Sequence, residues 1–164
     1  MKRYIAASAA CLIATHAIAA DSTRKVGSWL LQSQKDEFTD KTVVLSLTAT
    51  SDASAGFGLK CSDGELIVMA IQGSAHWPFD EGEADTYEIR VDGGEVFKGD
   101  AAGPSHVGVV QLADTPPMIK ALQGAKRSIA LRIHAGSLQP TYTFPGRGAQ
   151  EAIGAVLKEC PNVS

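Results

Sequence analysis

The chain has 164 residues, of which 45% are hydrophobic and 20% charged, a composition that excludes a disordered polymer and suits one globular domain with a real core. Fifteen basic against eighteen acidic residues give a formal charge of −3, which argues against nucleic acid or an anionic membrane surface as the partner.

The first residues, MKRYIAASAACLIATHAIAA, read differently from the rest. Lys2 and Arg3 precede an apolar, alanine-rich stretch that ends in Ala17-Ile18-Ala19, the small-x-small pattern of a cleaved secretory leader. The stretch is too short and too rich in alanine to span a hydrocarbon layer of roughly 30 Å. Residues 1–19 are therefore expected to be a signal peptide and residues 20–164 the mature domain, in the bacterial periplasm or outside the cell. The leader takes two basic residues with it, so the mature charge is −5. It also takes Cys11, leaving Cys61 and Cys160 with a single intramolecular pairing in an oxidising compartment.

Along the mature chain, KVGSWLLQSQKDEF places Val26, Trp29 and Leu31 in a first strand. KTVVLSLTATS alternates, with Val43, Leu45, Leu47 and Ala49 on one face and Ser46 and Thr48 on the other. SDASAGFG reads as a small, polar loop. LKCSDGELIVMAI is a hairpin about Ser62-Asp63-Gly64, with Leu59 and Cys61 inward and Leu66–Ile71 apolar throughout. QGSAHWPFDEGEA has no periodicity and is a long loop. DTYEIRVDGGEVFKGD is a second hairpin, turning at Asp92-Gly93-Gly94 with Tyr87, Ile89 and Val91 inward. HVGVVQL is a short strand. Asp114 or Thr115 as cap, Pro116 in the first turn and Gly124 at the stop mark a helix. RSIALRIHA turns Ile129, Leu131 and Ile133 inward, and PTYTF is the last strand.

A closing helix begins near Gly148, with Ala149, Ile153, Val156, Leu157 and Cys160 on one face at 3.6-residue spacing, and Pro161 stops it. Cys160 on that buried stripe and Cys61 on an inward strand face predict a disulfide that staples the helix to the sheet. In total, about eight short strands and two short helices predict a mainly β, single-domain antiparallel sandwich.

Signs of catalysis are scarce. Ser105 in GPSHVG lacks the flanking glycines of a nucleophile elbow, and both mature cysteines are committed to the bridge. His76, His106 and His134 have no metal-ligand spacing, and the acids of FDEGEAD do not follow a calcium-loop pattern. No catalytic residue, metal or cofactor is expected. Two features rise above background. The loop HWPFDEGE, with His76, Trp77, Phe79, Asp80, Glu81 and Glu83, is either a recognition edge or, for Trp77 and Phe79, a lid on the core. Arg90 stands between Glu88 and Asp92 as ordinary surface pairing.

The order of Trp29, GLKCSDGELIV, YEIRVDGG, the PPMIKAL helix and the closing TFPGRGAQEAIGAVLKEC resembles a group of small exported proteobacterial proteins. That group includes the type VI secretion-associated VasI/TagO family; the order also resembles, more faintly, the invasion-associated locus B family. The resemblance implies a β-rich, envelope-located accessory or adaptor protein without enzymatic activity, and no catalytic residues come with it. Expected contact loops are 72–84 and 99–105, and the expected partner is an envelope protein. Alternatives are an envelope hydrolase whose carboxylates assemble in space, or a small-ligand-binding domain.

Overall fold

Side-chain alternation and tight glycine turns fold the described residues of this computed structural model, 22–35 and 37–161, into ten strands and two helices. The predicted leader lies outside the described residues. The strands are β1 (Ser22–Val26), β2 (Trp29–Lys35), β3 (Thr42–Ala49), β4 (Ala55–Ser62), β5 (Glu65–Gln72), β6 (Thr86–Val91), β7 (Val96–Ala102), β8 (Val109–Leu112), β9 (Ser128–His134) and β10 (Thr141–Pro145). The helices are α1 (Pro116–Gln123) and α2 (Ala149–Glu159).

The strands form one antiparallel sheet in the order β1-β2-β3-β4-β5-β8-β7-β6-β9-β10. Its two layers are joined through β7, whose first residues pair with β6 while Ala101 and Ala102 pair with β8. A strand that passes from one layer to the next is how a sheet turns a corner and packs on itself. The fold-over brings β10 across β3 and β4, where Phe144 meets Phe57 with ring centroids 5.5 Å apart. Phe57 also meets Trp29 edge-on at 6.4 Å. Each such side chain, fully buried, contributes about 1.5–3 kcal/mol relative to exposure.

Three boundaries differ from the sequence expectation. The first strand is a hairpin, because Gly27 takes φ 59° and Val26 pairs with Trp29 across a two-residue turn. The expected loop SDASAGFG is strand from Ala55 onward: Ala55, Phe57, Leu59 and Cys61 are buried in alternation, and the intervening Gly56 and Gly58 hid that period. The strand expected from His106 begins only at Val109.

The larger surprise lies in β3. Its alternation is as expected, yet Val44, Ser46 and Thr48 face the core, and Val43, Leu45 and Leu47 turn outward. Patterning alone would bury the leucines. Pairing of Ser46 with Leu59 and Leu31, both inward, fixes the opposite face. The reason lies in α2, which packs chiefly on β3 and buries Ala149, Ala152, Ile153 and Val156. Small side chains on both elements let the helix backbone approach the sheet closely. Thr48 is satisfied, its Oγ1 donating to Ser28 O at 3.2 Å. Ser46 Oγ and Trp29 Nε1 are buried without a hydrogen-bond partner among the described residues. On the outer face of the same strands Leu30 remains 44% exposed beside the half-buried Leu45, Leu47, Ile67 and Ile71.

At the C-cap of α2 the predicted disulfide is present, joining Cys160 to Cys61 of β4 with Cα atoms 5.9 Å apart. The N-terminus of α2 is fixed as tightly. Gly148, at φ 98°, lies against Val26 O, Gly27 lies against Arg147 O, and Ser28 N donates to Arg147 O at 2.8 Å. A side chain at either glycine would collide with backbone. Among the described residues no helix is long and apolar enough to cross a membrane.

Two measurements check this packing. Reduction, or the Cys61→Ser/Cys160→Ser variant, opens a loop with its ends 99 residues apart and is expected to lower urea-unfolding stability by about 4–5 kcal/mol at most. Ser46→Ala removes a buried hydroxyl that has no partner, so it is expected to leave stability unchanged or raise it by about 1 kcal/mol. A loss of stability would mean that Ser46 Oγ is hydrogen-bonded after all.

Candidate recognition surface

The β5–β6 loop, residues 73–85, contains the expected HWPFDEGE stretch and is held down along its length. Trp77 stacks on Phe79 at 5.6 Å between centroids, meets Tyr142 of β10 edge-on at 5.5 Å, and donates from Nε1 to Gly108 O at 3.0 Å. Phe79 is buried in the core and Trp77 half-buried against it. The aromatic pair thus lids the end of the sandwich, and the surface it leaves belongs to its neighbours. His76, Asp80, Glu81 and Glu83 are exposed. Gln72 Nε2 donates to His76 Nδ1 at 3.1 Å, and Asp80 N donates to Glu83 Oε2 at 2.8 Å, closing the acidic turn on itself.

Loop 103–108, between β7 and β8, is tied to it. Gln72 N donates to Gly108 O at 2.8 Å, Ala84 N to Gly103 O at 2.8 Å, and Gly82 N to Pro104 O at 3.2 Å. Of the second expected contact stretch, residues 99–105, the part up to Ala102 is strand β7 and only the remainder is loop. The two loops nevertheless form one surface. Its apolar point is Val107, 65% exposed, which the sequence reading missed because it was assigned to a strand. His106 adjoins it in the chain, and His76, Asp80, Glu81 and Asp85 are exposed on the partner loop. Ser105 sits in the same loop with its N–H donating to Val109 O at 2.9 Å.

The remaining candidates lie elsewhere. His134 is on the outer face of β9, 4.0 Å from Glu88. Glu88 bonds Lys98 at 2.7 Å and Arg132 at 3.0 Å rather than Arg90. The hydrogen bond from Lys98, with the positive charges of Lys98, Arg132 and His134, holds its carboxyl below the usual range despite some burial. Asp92 is not a surface ion-pair partner but a backbone clamp. Its carboxylate accepts from the N–H groups of Lys126, Arg127 and Ser128 at 2.8–2.9 Å, and its carbonyl accepts from the Arg127 guanidinium at 2.6 Å. Burial pushes the Asp92 carboxyl up, but these N–H donors and the Arg127 charge outweigh it and hold the net value below the ordinary one. Among the described residues no three His, Cys, Asp or Glu side chains converge to hold a metal ion.

No family model matches the chain, and no curated protein sequence matches it. Its architecture has a solved counterpart. The structure of invasion associated protein B from Bartonella henselae superposes with a TM-score of 0.60 at 14% identity, covering 84% of this chain and 96% of that one. The likeness establishes a shared fold. It falls on the fainter of the two expected resemblances, and nothing in the comparisons supports the VasI/TagO family. The disulfide accords with an oxidising, exported compartment.

The Asp92 clamp has a pH signature. A folded-state pKa below the unfolded value of about 3.9 stabilises the fold above that value, and the contribution is lost as pH falls through the folded pKa. Asp92→Ala is expected to cost about 1–3 kcal/mol in denaturant unfolding at neutral pH. The gap from wild type should narrow below pH ~4; a gap that persists unchanged into acid would show that the carboxylate charge is immaterial.

Proposed function

We propose that this chain is an exported, non-enzymatic recognition module that binds an envelope protein through the surface of loops 73–85 and 103–108. The observation that carries this reading is the cross-tie between the loops: two backbone hydrogen bonds and the Trp77 indole join them, and a third backbone bond, from Gln72 at the end of β5, holds Gly108, so both are fixed before any partner arrives. A surface ordered in advance loses little conformational entropy on binding, which is where loop-mediated recognition otherwise loses affinity. The chemistry it offers is an exposed aliphatic point, Val107, on one loop and the exposed acids Asp80, Glu81 and Asp85 on the loop tied to it. That arrangement complements a basic cleft with an apolar floor, where the charges steer encounter and the valine anchors. The Bartonella protein's name associates it with invasion, and a rigid exported scaffold acting on other proteins suits such a role.

The test compares variants of the oxidised mature protein as bait for crosslinking capture from native envelope extract. Val107→Asp and Glu81→Lys are expected to melt like wild type and to weaken capture of the same partner by about tenfold. Leu30→Ser, on the outer sheet face, is the control and should capture normally. A partner held equally by all four baits, or lost only with Leu30→Ser, would remove the loop surface from consideration.

A further inference from the structure

On the outer face of β6, β7 and β9 the side chains stand in two cross-strand rows, Lys98–Glu88–Arg132–Thr141 and Val96–Arg90–Ala130–Thr143. The cations outnumber the acid. Glu88 is shared between Lys98 and Arg132, and the Arg90 guanidinium makes neither an ion pair nor a hydrogen bond among the described residues. This surplus sits on a chain whose overall charge is negative. The position opposite Arg90 is Ala130, whose short side chain leaves a hollow of about 180 Å³ bounded by Arg90, Val96, Arg132, Thr141 and Glu88.

Arg132 is already oriented toward this hollow's rim. Its Nε donates to Thr141 Oγ1 at 3.4 Å and Nη1 to Glu88 at 3.0 Å, which leaves Nη2 uncommitted. Arg90 stands on the neighbouring strand at the diagonal position, its backbone roughly 7–8 Å from that of Arg132, and its side chain lines the same hollow. Two guanidinium groups, one pre-aimed and one unpaired, present the forked donors that match a carboxylate or phosphate, with Thr141 beside them.

We propose that this hollow binds an oxyanion, a phosphate or carboxylate group, between Arg90 and Arg132, at a site separate from the loop surface. Glu88 is the tuning residue: its negative charge orients Arg132 and weakens the site for anions. Lys98 and His134 extend the same face beyond the hollow. An anion carried on a polymer therefore gains further contacts that free phosphate does not.

The experiment is calorimetric titration of the intact oxidised protein at low salt with two probes, inorganic phosphate and oligogalacturonate. Saturable binding of at least one is expected, with Arg90→Gln weakening it about fivefold, Arg90→Lys recovering part of the loss, and Glu88→Gln strengthening it. None of the three variants should alter the melting temperature appreciably, since Arg90 makes no pair to lose among the described residues and the exposed pairs lost with Glu88 are worth about 0–1 kcal/mol. Tighter binding of oligogalacturonate assigns the site to a polymer-borne carboxylate, and equal or tighter binding of phosphate assigns it to a free phosphate. Absence of saturable binding for both probes would overturn the proposal, as would binding that Arg90→Gln leaves unchanged.

Discussion

The closing helix supplies the part of the core that the sheet does not supply for itself, and the rest of the structure depends on its being held there. β10 covers part of β3 and β4, and α2 occupies the remaining inner face. The helix is pinned at both ends by different chemistry. At its start, Gly27 and Gly148 pack backbone against backbone, so the first hairpin and the TFPGRG turn are fixed as one unit. At its end, the Cys61–Cys160 bond joins it to β4. An exposed ion pair from Arg24 to Glu151 at 2.5 Å adds little by comparison. With both ends fixed, the 11-residue helix needs no strong caps, and neither Gly148 nor Cys160 provides a side-chain one.

That docking explains why β3 runs against its own hydrophobic pattern. A helix faced with Ala149 and Ala152 approaches closely only where the strand beneath is also small, and Ser46 and Thr48 provide that. Leu45 and Leu47 are displaced to the outer face, where Gly58 lets Leu47 lie across β4. The orphaned hydroxyl of Ser46 is the cost of this choice. The three outward surfaces that result differ in chemistry: aliphatic on β2–β5, cationic on β6, β7 and β9, and acidic at the paired loops.

Much of this was legible in the sequence, for identifiable reasons. Asp63-Gly64 and Asp92-Gly93 adopt positive φ in succession, so the hairpins announced themselves through residues that tolerate it. Pro116 and Gly124 bracketed α1, and two mature cysteines admitted one bridge. Misreadings cluster where a small residue carried no hydrophobic signal. Gly56 and Gly58 masked the start of β4, Gly27 hid a turn inside an apolar run, and Ala152 was omitted from the buried stripe of α2. The facing of β3 was beyond any local pattern, because it is set by a helix more than a hundred residues away.

The residues behind the family resemblance share one property that limits what such a resemblance says. Trp29 and Phe144 are core, Cys61 and Cys160 are the staple, Asp92 clamps the turn before β9, and Gly146 N closes onto Arg127 O at 3.0 Å. Each serves the frame. A pattern built on them therefore reports the fold, and the comparison at 14% identity agrees with it at that level. On the two proposals made above, recognition falls instead where the frame imposes nothing, at Val107, Glu81 or Arg90, whose side chains are solvent-exposed. Two proteins sharing every framework residue and differing at those three would fold alike, which is why fold likeness and recognition must be argued from different atoms.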